Sequence, residues 1–397
     1  MKRENIAKAS SVFVTVCFLL FLLILAVMTV LDFDETESFF ENRNLATFPI
    51  LSTEGVSDGT YFTAVGEFVK DHAAAREVML KASTLLDLKV LRRPVVNDIY
   101  VGGDVLLPYF DHETVDKTQI ASDASAVAEK IEKTARITES YGGKYYFTAI
   151  PCQYRCYEDS YPWYLNSREE FLEASSEAFF AELEKRDVSL IDVMKLYESK
   201  GRPDYFTSTV DHHFGIRGAY DTYLELLRRL DEDTDLSFPV LTEKEFELKT
   251  LPNRYIGSRS RKIFGLWEAD ERLQLILPKE APEYTRYNNG YVIDKALFDL
   301  PEGDTDDVLY TTYMGGDVAH VLIDTNREEL PSILIYGESF TNAIETFAWY
   351  SFDEMHSLDM RHYKDMTVDE FISIVQPEVV VCIRDYSVLL ETEEYGF

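Results

Sequence analysis

Ser332-Ile333-Leu334-Ile335-Tyr336-Gly337-Glu338-Ser339-Phe340 reads as the end of a buried strand running into a tight turn. The apolar run is too short for a helix, and a helical pattern, Phe340–Ser351, follows directly. The same alternation recurs outward from this point. Toward the C-terminus come the strand Glu354–Leu358, the helix Val368–Val375 and the strand Glu378–Ile383. Toward the N-terminus, a helix over Glu113–Tyr141 leads to the strand Tyr145–Ile150. A second helix, Arg168–Lys185, leads to Ser189–Val193, and a third covers Gly218–Leu230. Several of these strands are continuous apolar runs, the pattern of parallel strands covered on both faces. The fold class is therefore α/β, a parallel sheet flanked by helices. Residues 231–327 depart from the pattern, with few helices, many charges and several strand-like pieces, and read as an inserted irregular or β-rich region. Tyr61–Leu91 has helical periodicity, and Asn97–Phe110, punctuated by Gly102-Gly103-Asp104, reads as a hairpin.

Ser11–Leu31 is a run of 21 residues without a charge, dominated by Leu, Val, Phe and Ile. A helix of roughly 20 apolar residues spans a bilayer core with its backbone polar groups satisfied internally. Lys2, Arg3 and Lys8 precede the run; Asp32, Asp34, Glu35 and Glu37 follow it. The positive-inside rule then gives a single-pass cell-membrane protein with residues 1–10 cytoplasmic, 11–31 as anchor and the main domain extracellular. A cleaved signal peptide is the rival, but the run is long for one and Met28-Thr29-Val30-Leu31 supplies no small-x-small cleavage step. Residues 32–60 read as an irregular acidic juxtamembrane linker, and 61–397 as the extracellular domain.

The formal net charge is −32. Nucleic acids and anionic lipid surfaces are bound through cationic footprints, so neither is an expected partner. Aromatic residues make up 13% of the chain and hydrophobic residues 46%, a composition that builds a core. Of the four cysteines, Cys17 falls in the apolar run and Cys382 in a strand-like run. Cys152 and Cys156 are either a loop disulfide or two thiols. No cysteine spacing has the form of a zinc site.

Reactive side chains concentrate in two places. Ser339 stands between a strand and a helix, at the carboxyl end of the strand, where open α/β sheets bind ligands. Gly337 permits close backbone approach, and the N-terminus of the next helix offers oriented N–H groups to a developing oxyanion. The turn resembles a nucleophile elbow without the second glycine; a serine there also serves as a helix N-cap. The second place is Asp211-His212-His213-Phe214. A serine hydroxyl needs a base, and the base needs a partner that fixes its tautomer. Two histidines beside a carboxylate supply both, although Asp211 also suits a cap, and the pair also suits a metal site completed from elsewhere.

Taken together, Asp211-His212-His213-Phe214 with Gly218-Ala219-Tyr220 resembles the signature of the DHHW family. That family is related to the alginate O-acetyltransferases within the SGNH (GDSL-like) hydrolase fold. Further blocks carry the resemblance through most of the chain: Glu41-Asn42-Arg43 with Leu45 and Pro49, Asn97-Asp98 to Leu107, Ala149-Ile150-Pro151 with Tyr161-Pro162, Tyr255-Ile256-Gly257-Ser258, Met314-Gly315-Gly316-Asp317 and Gly337-Glu338-Ser339-Phe340. It implies an SGNH-hydrolase-like domain with Ser339 as nucleophile, His213 as general base and Asp211 as its orienting carboxylate. The Asp-x-His pair precedes the serine, the reverse of the usual SGNH order, as in the alginate O-acetyltransferases. His212 matches a signature position without an assigned role. Gly315, Gly316 and the Ser339 N–H are the oxyanion candidates.

Two positions depart from the family pattern. Glu338 replaces Asp, and Asp317 stands where an Asn would donate to the oxyanion, which a carboxylate cannot do unless protonated. The resemblance implies an O-acyltransferase acting on a cell-surface or secreted polysaccharide. It implies no cofactor, and a membrane-bound O-acyltransferase as the partner that supplies the acyl donor. An esterase using the same residues and an inactive polysaccharide-binding or assembly protein are the alternatives. Arg261, Arg286 and Arg361 are candidates to hold an anionic group or to form salt bridges. Tyr157, Tyr161, Trp163 and Tyr164 are candidates either to stack on sugars or to pack in the core.

Overall fold

The computed structural model describes residues 2–31, 36–41, 43–112, 114–392 and 395–397. Asp32, Asp34 and Glu35 of the acidic flank, Asn42 of the Glu-Asn-Arg block and Glu113 at the expected helix start lie outside the described residues. The chain divides into two compact units, one of residues 1–97 with 260–267 and one of 98–259 with 268–397.

In the first unit a single helix runs over Lys2–Leu31. Its Val12–Thr29 stretch is long and apolar enough to cross a membrane, and most of its large side chains are exposed. Residues 36–60 are not irregular throughout. Glu37–Ser38 pairs with Arg43–Asn44, and a short helix, Thr53–Asp58, is capped by the Ser52 hydroxyl, which accepts from the Gly55 N–H. Arg43 donates to both oxygens of Asp71 at 2.6 and 2.7 Å, and the guanidinium holds that carboxyl well below the usual range. A bidentate pair of this kind ties a polar, turn-rich stretch to the helix Thr60–Asp71, an order that apolar periodicity does not reveal. The helical pattern of 61–91 resolves into Thr60–Asp71 and Arg76–Leu85, the latter continued as a π-helical segment to Leu91.

The second unit is built on an eight-stranded sheet. In chain order its strands are β1 (Lys144–Ile150), β2 (Leu190–Asp192), β3 (Thr285–Asn288), β4 (Tyr291–Val292), β5 (His320–Asp324), β6 (Ile333–Gly337), β7 (Glu354–Asp359) and β8 (Val379–Asp385). The spatial order is β4-β3-β5-β7-β6-β8-β1-β2. From β7 to β2 all neighbours are parallel, while β5, β3 and β4 extend the sheet antiparallel. All seven residues of β8 and all five of β6 are buried, which requires cover on both faces. The cover comes from α1 (Lys117–Ser140), α2 (Glu169–Lys185), α3 (Val193–Ser199), α4 (Ile216–Asp233), α5 (Thr341–Ala348) and α6 (Val368–Val375). α1 packs against α2 and α6, while α4 packs against α3 and α5.

The mixed α/β architecture with a large, mostly parallel sheet is the expected fold class. Its β-rich stretch is less separate than its charge pattern suggests, because β3, β4 and β5 of residues 231–327 belong to the main sheet. Another pair, Phe246–Thr250 with Gln274–Pro278, forms its own ribbon. The expected hairpin is present as Ile99–Tyr100 against Leu107–Pro108.

Register brings the carboxyl ends of four strands level: Gly337 of β6 lies opposite Asp359 of β7 and Ile383 of β8, and Asp385 of β8 lies opposite Ile150 of β1. Side chains in the turns beyond these ends therefore share one edge of the sheet.

Candidate active site

Ser339 sits two residues beyond β6, in the turn that opens α5. The strand can end so close to β8 only because residue 337 is glycine: a Cβ there would lie 2.2 Å from the Ile383 carbonyl oxygen. The Thr341 and Asn342 N–H groups close the turn onto the carbonyls of Glu338 and Ser339.

Asp211 and His213 come from the loop between α3 and α4. The Ser208 hydroxyl accepts from the backbone N–H groups of Val210 and Asp211, and Ser208 N–H donates to the His213 carbonyl. These bonds close the loop on itself before α4 begins at Ile216. His213 Nδ1 lies 2.6 Å from Asp211 Oδ1, and His213 Nε2 lies 2.7 Å from Ser339 Oγ. A carboxylate only accepts, so Nδ1 carries the proton and Nε2 presents its lone pair to the serine hydroxyl. Asp211 Oδ1 also accepts from the His213 N–H, and Oδ2 accepts from the Ser258 N–H at 2.6 Å. Burial alone would raise the Asp211 carboxyl, but the His213 imidazole and these hydrogen bonds hold it well below the usual range.

Three residues without an assigned role in the sequence surround the relay. Ser258 supplies its N–H to Asp211 and its hydroxyl to His212 Nδ1 at 2.7 Å, which gives the second signature histidine a partner. The Tyr310 ring stacks on His213 with centroids 3.7 Å apart and planes 3° apart, while the His212 ring approaches the same imidazole to 3.7 Å. Two rings at that distance cannot share one face, so His213 is clamped between them. Arg384, fully buried on β8, has Nη1 3.6 Å from Glu338 Oε1. Glu338 thus faces a buried guanidinium, and that pair accounts for a carboxylate beside the nucleophile.

The other expected oxyanion residues are placed differently. Gly316 N–H donates to the Tyr313 carbonyl at 3.2 Å, closing a turn, and is committed there. Gly315 and Gly316 take positive φ in that turn, which delivers Asp317 next. Asp317 accepts from Asn342 Nδ2 and from Arg361 Nη2, each at 2.8 Å, and so acts as an acceptor. The Ser339 N–H is the expected donor that lies next to the nucleophile, since the Thr341 and Asn342 N–H groups at the start of α5 already close the turn. Arg361 also binds Asp359, Arg286 is buried on the carbonyls of Ala296 and Met314, and Arg261 binds the Phe39 carbonyl. All three candidate anion-binding arginines are thus engaged within the protein. Cys152 and Cys156 are buried free thiols, and burial pushes both up.

Gly257 tests the support beneath Asp211. A Cβ there would lie 2.4 Å from the Val210 carbonyl oxygen and 2.7 Å from Asp211 Cβ. Gly257→Ala is expected to push Asp211 out of line and to destabilise by about 1–3 kcal/mol. A lower thermal midpoint, together with slower reaction of Ser339 with a fluorophosphonate, is the readout. If neither moves, Gly257 is not what holds the carboxylate.

An acid–imidazole–serine relay at the carboxyl edge of a mostly parallel α/β sheet is the class of site this fold presents. Solved structures share the fold. That of PatB1 from Bacillus cereus has a TM-score of 0.63 at 18% identity, over 74% of this chain and 98% of that one. PatB1 with a sulfonyl adduct gives 0.62 at 17% identity, over 74% and 96%. A DHHW family protein from Eubacterium siraeum gives 0.55 at 17% identity, over 76% and 95%. The last carries the name of the family that the sequence resembles. No protein-family model and no curated protein sequence matches the chain.

Proposed function

We propose that this protein is a membrane-anchored, extracytoplasmic O-acyltransferase, of the acetyl class, that modifies a cell-surface or secreted polysaccharide. The observation that carries the reading is the unbroken relay from Asp211 through His213 to Ser339, with links of 2.6 and 2.7 Å. In this reading Ser339 Oγ attacks the acyl carbonyl of the donor while His213 Nε2 takes the hydroxyl proton. The imidazolium passes that proton to the leaving group as the tetrahedral intermediate collapses to an acyl-serine. A sugar hydroxyl then attacks the ester carbonyl, its proton goes to His213, and the proton returns to Ser339 as the acylated sugar leaves. Tyr310 and His212 hold the imidazole in the plane this exchange needs. The donor must come from across the membrane, a role for a membrane-bound O-acyltransferase partner, and Val12–Thr29 would keep the site within reach of it.

A serine-directed sulfonyl fluoride or fluorophosphonate tests the nucleophile directly. One equivalent is expected to attach to the wild-type chain and none to Ser339→Ala of unchanged thermal midpoint. Equal labelling of both would remove Ser339 from the mechanism. Incubation with an activated acetyl ester, with and without a soluble oligosaccharide, then separates transfer from hydrolysis. Acetylated sugar is the expected product, and free acetate alone in both arms would make the protein an esterase.

A further inference from the structure

The aromatic cluster after β1 separates into two roles. The Tyr161 hydroxyl donates to the Pro108 carbonyl at 2.9 Å and the Tyr157 hydroxyl to that of Thr207, so these two are held against the protein. Trp163 is 95% exposed and Tyr164 54%, with their rings perpendicular at 5.8 Å. They occupy the two central positions of a turn closed by Leu165 N–H on the Pro162 carbonyl. That turn is pinned at both ends to residues 108–111. Tyr161 binds Pro108 on one side; on the other, Asn166 bridges to Phe110 and donates to the Asp111 carbonyl. Tyr109, 37% exposed, lies on the same pinned segment.

A freely exposed indole forgoes roughly 1.5–3 kcal/mol that burial would return. A flexible loop would fold such a ring against the surface. Here the pinned turn prevents that and holds two rings outward with little conformational entropy left to lose on binding. The segment that leads to this turn leaves β1 at the carboxyl edge of the sheet, the edge that bears Ser339.

We infer that Trp163 and Tyr164 form a stacking platform for the sugar rings of a neutral or amine-bearing glycan. The axial C–H groups of a pyranose are positively polarised and fit the electron-rich face of an aromatic ring. Charge narrows the class. Near the platform Glu158 and Asp159 are paired with Arg155 and Arg202, which leaves Asp111 and the overall charge of −32 to repel a polyanionic glycan and not a neutral or cationic one. The same charges oppose an anionic membrane surface, the other place where exposed tryptophan is common. As a statement about the acceptor, the inference rests on the acyl-transfer reading above. As a statement about glycan binding, it does not.

Affinity electrophoresis of the full chain in detergent separates the two, using gels that contain hydroxyethyl cellulose, glycol chitosan or alginate. Retardation is expected in the neutral or the amine-bearing polymer and not in alginate. Trp163→Ala is expected to weaken it by roughly 5- to 10-fold, as loss of one aromatic contact would. Ser339→Ala should bind as the wild type does, so a failure of the chemistry leaves the platform standing. The inference is overturned by no retardation in either polymer, by equal retardation of Trp163→Ala, or by binding confined to anionic vesicles.

Discussion

Asp211→Asn is expected to slow acylation of Ser339 by on the order of 10³- to 10⁴-fold while leaving the protein folded. The expectation follows from counting donors around one carboxylate. Oδ1 accepts from the N–H and the Nδ1–H of His213, and Oδ2 accepts from the Ser258 N–H. An amide has one oxygen. Turned toward His213, it sets its NH₂ against the Ser258 N–H; turned toward Ser258, it sets NH₂ against His213 Nδ1. The second arrangement forces the imidazole into the tautomer that carries its proton on Nε2, which cannot accept from Ser339. The first keeps the tautomer but leaves two donors facing each other in a buried site, where an unmet polar group costs about 1–3 kcal/mol. The rate of inactivation by a fluorophosphonate measures the loss without knowledge of the natural substrate. A decrease of less than about tenfold would mean that Asp211 does not set the His213 tautomer.

The contrast between what was legible in the sequence and what was not follows from locality. The strand 333–337, its turn and the helix after it were readable because apolar runs and turn residues signal within a few positions. Asp211 and His213 were readable as one short segment whose residue types suit the chemistry. Ser258 carries no local signal of its own. It meets His212 from 46 positions away in the sequence, and nothing local marks a serine as the donor to a distant carboxylate. Tyr310 was invisible for the same reason, one tyrosine among 25. Gly316 stood as an oxyanion candidate through the resemblance, and its N–H closes the turn itself. The order within residues 36–60 escaped notice because ion pairs and a side-chain cap produce it, without apolar periodicity.

Arg384→Ala is expected to destabilise the protein by about 3–5 kcal/mol, the range for removing one member of a buried ion pair. Arg384 looked unremarkable in sequence, a charge after an apolar run, where a strand commonly surfaces. Instead β8 stays buried through Asp385, so the guanidinium is enclosed, its Nη1 3.6 Å from Glu338 and its Cζ over the Tyr395 ring, 4.8 Å from the centroid. Removing it withdraws the buried guanidinium from beside Glu338, in a fold whose total stability is expected to be about 5–15 kcal/mol. Glu338→Gln should cost a comparable amount from the other side. The double variant Arg384→Met with Glu338→Gln should recover much of the loss, because it removes both charges and keeps the volume. Glu338 immediately precedes Ser339, so the single variants should also disorder the turn and slow labelling of the serine, and the double variant should restore both together. Chemical denaturation with parallel labelling of all four proteins measures the coupling. If Arg384→Ala costs under about 1 kcal/mol, or the losses simply add, the pair does not hold the nucleophile's turn.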